Sequence, residues 1–231
     1  MRPESTALTS PRADVLTETV EGFGTVRFTP VDPATDSAVL HSWVVEERAQ
    51  FWGMNGASRE LVQEIYEDVD RRDTHHAYMV RLDDEPVALF QTYEPSEDRI
   101  SECYPVREGD IGVHLMLAPV TGRPRPGFSR TLIGSLIRFT FRDPAVRRAV
   151  AEPDAANDKA VALMDRLGFA RQGEITLPEI DLPEVYLPEK RAVRPRRSRR
   201  ASAGVGGRRR ASVLSGGHHL ARRDLGRSGE Q

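Results

Sequence analysis

Apolar positions along this chain switch between a two-residue and a 3.6-residue period, and the switches predict its elements. In "GTVRFTPVDP", Val26 and Phe28 alternate with polar neighbours, which predicts a strand closed by a proline turn. "DPATDSAVLHSWVVEERAQF" then carries Leu40, Trp43 and Val44 at helical spacing, with Asp32 or Thr35 as its cap and Pro33 suited to a first turn. A loop, "FWGMNGAS", separates it from a second helix, "SRELVQEIYEDVDRR", capped by Ser58 and showing Leu61, Val62, Ile65 and Val69 on one face. "HAYMVRL" and "PVALFQTYEP", joined by "DDE", predict a hairpin.

A third strand lies in "EGDIGVHLMLAP". Then come a Gly/Pro/Arg loop and a helix with Phe128, Leu132, Leu136 and Phe139 as its buried stripe, ending before Pro144. "VRRAVAEPD" is the next strand, "NDKAVALMDRLGFA" a helix closed at Gly168, and "RQGEITLP" a last strand. The predicted order is β-α-α-β-β-β-α-β-α-β, a mixed sheet with helices against it. Residues 1–23 are expected to form a flexible leader, 24–190 a single domain and 191–231 a tail.

Composition sharpens this outline. The chain has 231 residues and one cysteine, Cys103, which excludes an internal disulfide and a cysteine zinc cluster. It shows no apolar run long enough for a membrane helix and no secretory h-region, so a cytoplasmic protein is expected. Of 33 basic and 35 acidic residues, 12 and 2 lie from Arg191 onward, leaving 21 and 33 before it. The body is therefore acidic and the tail strongly basic. His75 and His76 open a strand, and His218 and His219 lie in the tail; neither pair has the further ligands of a metal site.

Chemistry concentrates at two places. In "GDIGVHLML", alternation sends Ile111, Val113, Leu115 and Leu117 to one face and Gly112, His114 and Met116 to the other. A histidine there is either a satisfied core residue or a catalyst beside a glycine that admits close approach. The second place is "TGRPRPGFSRTL", where arginines and Gly127 precede a helix. Helix starts hold unpaired N–H groups and a partial positive charge, which suits a phosphate. No Walker or dinucleotide spacing is present.

Taken together, strand, Gly/Arg loop, helix, "EPDAAN", a helix ending "RLGF" and a final strand resemble the GNAT superfamily of acyl-CoA N-acyltransferases over residues 24–190. "LHSWVVEERAQFWGM", "GDIGVHLMLAP" and "VAEPDAANDKAVALMDRLGFA" further resemble the branch that acylates lysine, N6-hydroxylysine or N-hydroxylated diamines in siderophore biosynthesis. The resemblance implies an α/β (α+β) GNAT fold: a mixed, mostly antiparallel central sheet with helices on both faces and a disordered C-terminal tail. It implies acyl-CoA as co-substrate and a small amine or hydroxylamine as acceptor.

One departure stands out. Pro124 occupies the position where the family's phosphate loop carries Gln or Arg, so Arg123, Arg125 and the amides of Gly127, Phe128 and Ser129 are expected around the pyrophosphate. Asn157 is expected either near the donor or as a helix cap.

Acyl transfer to an amine needs a neutral nucleophile, a held oxyanion and a route for the proton. By resemblance His114 is the base and Asp154 its carboxylate partner, though Asp154 is equally a good cap residue. A backbone N–H of the His114 strand, where it splays from its neighbour, is expected to hold the oxyanion. The acceptor is expected against His41, Trp43, Phe51, Trp52, Met54, Gln91 and Tyr93. An aliphatic stem suits an aromatic ring in a glycine loop.

The tail from Arg191 has no apolar period and is rich in Arg, Ser, Gly and Ala. It reads either as a nonspecific nucleic-acid-binding segment or as the product of a shifted reading frame in a GC-rich coding sequence, with the family's last strand damaged or missing. Competing functions are a protein or ribosomal N-terminal acetyltransferase of the same fold, a non-catalytic acyl-CoA sensor, and a tail-mediated nucleic-acid binder.

Overall fold

The computed structural model describes residues 12–177 and 209–217. Its strands are β1 (Leu16–Val20), β2 (Gly24–Pro30), β3 (His75–Leu82), β4 (Glu85–Tyr93), β5 (Asp110–Leu117), β6 (Arg148–Ala151), β7 (Ala170–Leu177) and β8 (Arg209–Gly217). The helices are α1 (Pro33–Val44), α2 (Arg59–Asp70), α3 (Phe128–Thr140) and α4 (Asp158–Leu167), with a 3₁₀ segment at Glu47–Trp52. One sheet runs β1-β2-β3-β4-β5-β6-β8-β7, antiparallel throughout except where β5 meets β6.

Local signals place the helices as expected. Asp32, not Thr35, caps α1 by accepting from the Ala34 amide, with Pro33 as first helical residue. Ser58 accepts from Leu61 N to cap α2, and Gly168 closes α4 in the left-handed region. The alternation of β5 also holds. Ile111, Val113, Leu115 and Leu117 pack with α3 and α4 residues on one face, whereas Met116 packs with Leu40 of α1 and Val62 of α2 on the other. Helices thus cover both faces. Phe139 of α3 anchors the first layer: its ring stacks on Phe28 at 4.2 Å and meets Tyr78 edge-on at 4.9 Å. Such pairs add about 0.5–1.5 kcal/mol each beyond their buried area.

Two strands lie where none was expected. The leader assigned to residues 1–23 includes β1, which pairs with β2 from Leu16↔Phe28 to Val20↔Gly24. Its inner face is Leu16, Glu18 and Val20, and Glu18 sits there because Arg138 of α3 donates to it at 2.7 Å. The tail assigned to 191–231 includes β8, inserted between β6 and β7 with Ala211, Val213 and Leu214 buried. The expectation of a missing last strand is therefore corrected for residues 209–217. The rest of the tail, with His218 and His219, lies outside the described residues. No helix among the described residues is long and apolar enough to cross a membrane.

The sheet's main irregularity positions the site. β4 holds β5 along Gly112–Leu117, but β6 pairs with β5 only at Asp110, Ile111 and Gly112. Beyond Gly112 the two strands part, and one backbone edge of Val113–Leu117 lines the opening.

Candidate active site

His114 sits at the first turn of that opening, opposite Gln91 of β4. Its ring Nε2 is hydrogen-bonded to Glu152 Oε1, and the Tyr93 hydroxyl donates to Glu152 Oε2 at 2.8 Å. The His114 side chain is 40% exposed while Glu152 is 8% exposed, so the carboxylate is enclosed and the imidazole faces the cleft. Expected as His114's partner, Asp154 lies two residues on; the carboxylate hydrogen-bonded to the ring is that of Glu152. The Asp154 side chain accepts from Ala156 N at 2.9 Å, and Asn157 accepts from Ala160 N at 3.2 Å to cap α4. The cap reading holds for Asn157, whereas Asp154 closes a turn ahead of the helix and does not cap it.

Why glycine stands at 112 follows from the same network. A Cβ there would fall inside the Tyr93 ring. The close approach is that of Tyr93, whose ring lies 5.1 Å from His114. Burial, then the Glu152 carboxylate, holds the Tyr93 phenol far above its ordinary pKa, so it remains a donor. His114 Nε2 is thus committed to the enclosed Glu152 carboxylate. The arrangement can accept a proton at His114 and stabilise the resulting imidazolium through Glu152.

Of the residues expected around an acceptor, Trp52 stands edge-on to His114 at 6.2 Å between ring centroids. Gln91 is its cross-strand neighbour, and Tyr93 belongs to the carboxylate network. Trp43 is a correction: 5% exposed, it packs in the core beneath α1. His41 Nε2 meets Ala57 O at 3.1 Å and ties down the end of the loop. Met54 packs on the same core cluster, and Phe51 lies half-buried in the 3₁₀ segment.

Two contributors are not evident from the sequence. Glu152 was passed over for the Asp of the same motif. His75, read as a strand start, stacks on the far side of Tyr93 at 5.7 Å and faces Asp98 at 3.7 Å. Alternation along β3 and β4, which pairs His75 with Tyr93, is the signal that could have found it.

At the other end of the cleft, Gly127 adopts φ +79° immediately before α3, and nothing lies within 4 Å of a Cβ built on it. No side chain caps α3. Phe128 N donates to Arg125 O at 3.1 Å, which removes one expected amide; Ser129 N has no acceptor among the described residues. Arg125 is also engaged, donating to Phe23 O at 3.1 Å. Arg123 makes no hydrogen bond or ion pair among the described residues. An uncapped helix start, an unclosed glycine turn and an unpaired strand edge leading to a histidine fit a phosphate-bearing thioester donor. Among the described residues no cluster of His, Cys, Asp and Glu could hold a metal.

The splayed strands and the loop–helix junction at their mouth define an acyl-CoA-dependent N-acyltransferase. Residues 32–177 match the acetyltransferase (GNAT) domain family, and the chain belongs to that family. The chain is 30% identical over 149 residues to an aminoglycoside N(6')-acetyltransferase type 1 of Klebsiella pneumoniae, covering 62% of this chain and 73% of that one. It is 26% identical over 144 residues to an N-hydroxyputrescine acetyltransferase of Acinetobacter baumannii, covering 62% and 67%. Among solved structures, an uncharacterized protein of Bacillus halodurans superposes with TM-score 0.68 at 20% identity, covering 92% of this chain and 95% of that one. An aminoglycoside acetyltransferase with ribostamycin and coenzyme A gives TM-score 0.60 at 20% identity, covering 89% and 99%.

Proposed function

We propose that this enzyme acylates the amine or hydroxylamine of a slender aliphatic acceptor, such as lysine, N6-hydroxylysine or an N-hydroxylated diamine, in siderophore biosynthesis. The observation that carries the reading is the His114–Glu152–Tyr93 network at the parting of β5 and β6, with Trp52 edge-on to the imidazole. The thioester carbonyl lies along the unpaired edge of β5, whose N–H groups hold the oxyanion. The acceptor nitrogen attacks that carbonyl, and the His114 imidazole takes its proton. Collapse breaks the C–S bond, and the thiolate leaves to be protonated.

A hydroxylamine suits this site because it is neutral at physiological pH and asks the base to act only after attack. An aliphatic stem can lie against the Trp52 ring, which stands beside the imidazole. Similarity to an N-hydroxyputrescine acetyltransferase supports this choice, as do the "FWGM" and "EPDAAN" segments.

Greater similarity to an aminoglycoside N(6')-acetyltransferase favours a second reading, transfer to an amino sugar. The acidic body of the chain suits either cation. A thiol-release assay with acetyl-, succinyl- and palmitoyl-CoA against lysine, N6-hydroxylysine, N-hydroxyputrescine, N-hydroxycadaverine and kanamycin separates them. The proposal expects kcat/KM highest on a hydroxylamine or lysine and reduced about 10²–10⁴-fold in His114→Ala. Preference for kanamycin would overturn it.

A further inference from the structure

Three rungs hold β5 to β6 before the strands part: Asp110↔Arg148, Ile111↔Ala149 and Gly112↔Val150. Apolar packing says little about that register, because Gly112 and Ala149 offer little to pack. On its other edge β6 faces Gly217, Gly216 and Ser215 of β8, which are as undemanding. The first rung carries the specification. Arg148 donates from Nε to Asp110 Oδ1 at 2.6 Å and from Nη2 to Oδ2 at 2.5 Å, and the Asp110 side chain is 1% exposed. The Tyr104 hydroxyl and the Arg107 amide donate to the same Oδ2 at 3.0 and 2.9 Å. Burial acts to raise the Asp110 pKa, but the Arg148 guanidinium and these donors outweigh it, so the carboxylate stays charged. A planar fork on both carboxylate oxygens fixes direction as well as distance.

We propose that Asp110 and Arg148 are positioning residues for the active-site pair: their ion pair sets the β5–β6 register that brings Glu152 to His114. The inference rests on the reading of His114 as base with Glu152 as its partner. It goes further by naming what aligns that partner.

Two observations carry it. His114 follows Asp110 by the same four residues that separate Glu152 from Arg148. The ion pair and the His114–Glu152 pair are therefore in one register and on one face, the first where the strands are joined and the second where they have parted. A slip of one residue would bring Ala151 or Pro153 level with His114 and turn Glu152 to the opposite face. Tyr104 links the two ends. Its hydroxyl bonds Asp110, and the Arg148 guanidinium lies 5.8 Å from its ring. Burial and Asp110 raise its phenol pKa, and the Glu152 charge adds to that rise, so it stays a donor.

The test is the acid limb of kcat/KM in two charge-conserving variants, Arg148→Lys and Tyr104→Phe, each made in the wild type and in Glu152→Gln. Glu152, Tyr93 and Trp52 face the imidazole, with His75 behind Tyr93, and neither substitution alters them. Arg148→Lys should lower kcat/KM about 10-fold and move the limb at least about 0.5 pH unit to lower pH, as the carboxylate draws away from the ring. Tyr104→Phe leaves the ion pair in place and should act in the same direction by less. In the Glu152→Gln background neither should change kcat/KM by more than about twofold or move the limb further. Thermal melting checks that each variant folds, and Tyr104→Phe decides if Arg148→Lys does not. Equal limb shifts in both backgrounds would overturn the proposal in favour of a field effect. A rate loss with an unmoved limb would overturn it in favour of a scaffold role, and no change at all would overturn it too. A limb that Glu152→Gln alone leaves unmoved would instead remove the base reading beneath it.

Discussion

Tyr93 stands between two histidines, His114 at 5.1 Å and His75 at 5.7 Å, and each histidine faces a carboxylate. The His114 ring is open to the cleft, and its Nε2 is directly bonded to the enclosed Glu152. The His75 side chain is 17% exposed, its Nδ1 meets the Thr74 hydroxyl at 2.9 Å, and Asp98 lies 3.7 Å from Nε2. Burial, then Arg72, lowers the His75 pKa, and the attraction of Asp98 does not recover it. One pair presents its ring to the cleft over an enclosed carboxylate. The other keeps a neutral ring as packing for Tyr93. The same two residue types take different roles because of enclosure and distance.

The comparison breaks most completely at the C-terminus. Ser212 N of β8 donates to Pro153 O at 2.9 Å, and Ala211 bridges Asp154, so β8 holds the segment that carries Glu152. β7 joins the sheet through β8. Removing residues 191–231 should abolish cooperative melting or reduce turnover at least about 100-fold, as measured by calorimetry and thiol release.

Next in size is Gly112→Ala, which forces the Tyr93 ring away from Glu152. A loss of about 1–3 kcal/mol in stability is expected from overpacking, together with a fall in kcat. Denaturant melts and steady-state kinetics read both. Tyr93→Phe removes only the hydroxyl that donates to Glu152, and a kcat lower by about 10-fold is expected from one hydrogen bond to a charged group. KM for the acyl donor should not change.

His75→Gln should have the smallest effect on kcat. Its signature is in stability against pH. The folded pKa is below the unfolded value of 6.5, so the unfolded chain binds more protons as pH falls through that value. Stability contributed at this site is present above pH about 6.5 and lost on acidification toward the lower folded value. The melting temperature of His75→Gln should therefore fall less than that of the wild type between pH about 7.5 and 5.5.

Much of this could be read from periodicity. The alternation in β5 named both faces correctly, and the caps at Asp32, Ser58 and Gly168 marked helix ends. The missed elements have physical reasons. In β1 the inward positions are Leu16, Glu18 and Val20, and the middle acid masks the period because its partner, Arg138, is 120 residues away. In β8 the buried Ala211, Val213 and Leu214 stand among Ser and Gly within an Arg- and Gly-rich segment, and successive Val213 and Leu214 are both buried, so no two-residue period shows. Glu152 was legible only as one of two acids in "EPD"; which one reaches His114 depends on how β6 ends, a matter of strand pairing. Trp43 shows the reverse error, a core side chain drawn into a site by proximity in sequence.

The central claim is that His114 acts as the base and Glu152 sustains its charged form. Its most direct test is the pH dependence of kcat/KM for the preferred acceptor in wild type, His114→Ala and Glu152→Gln. The account predicts an acid limb in the wild type that is absent in His114→Ala and moves to lower pH in Glu152→Gln, where the imidazolium has lost its counter-charge. An acid limb unchanged in both variants would contradict it and place the base elsewhere.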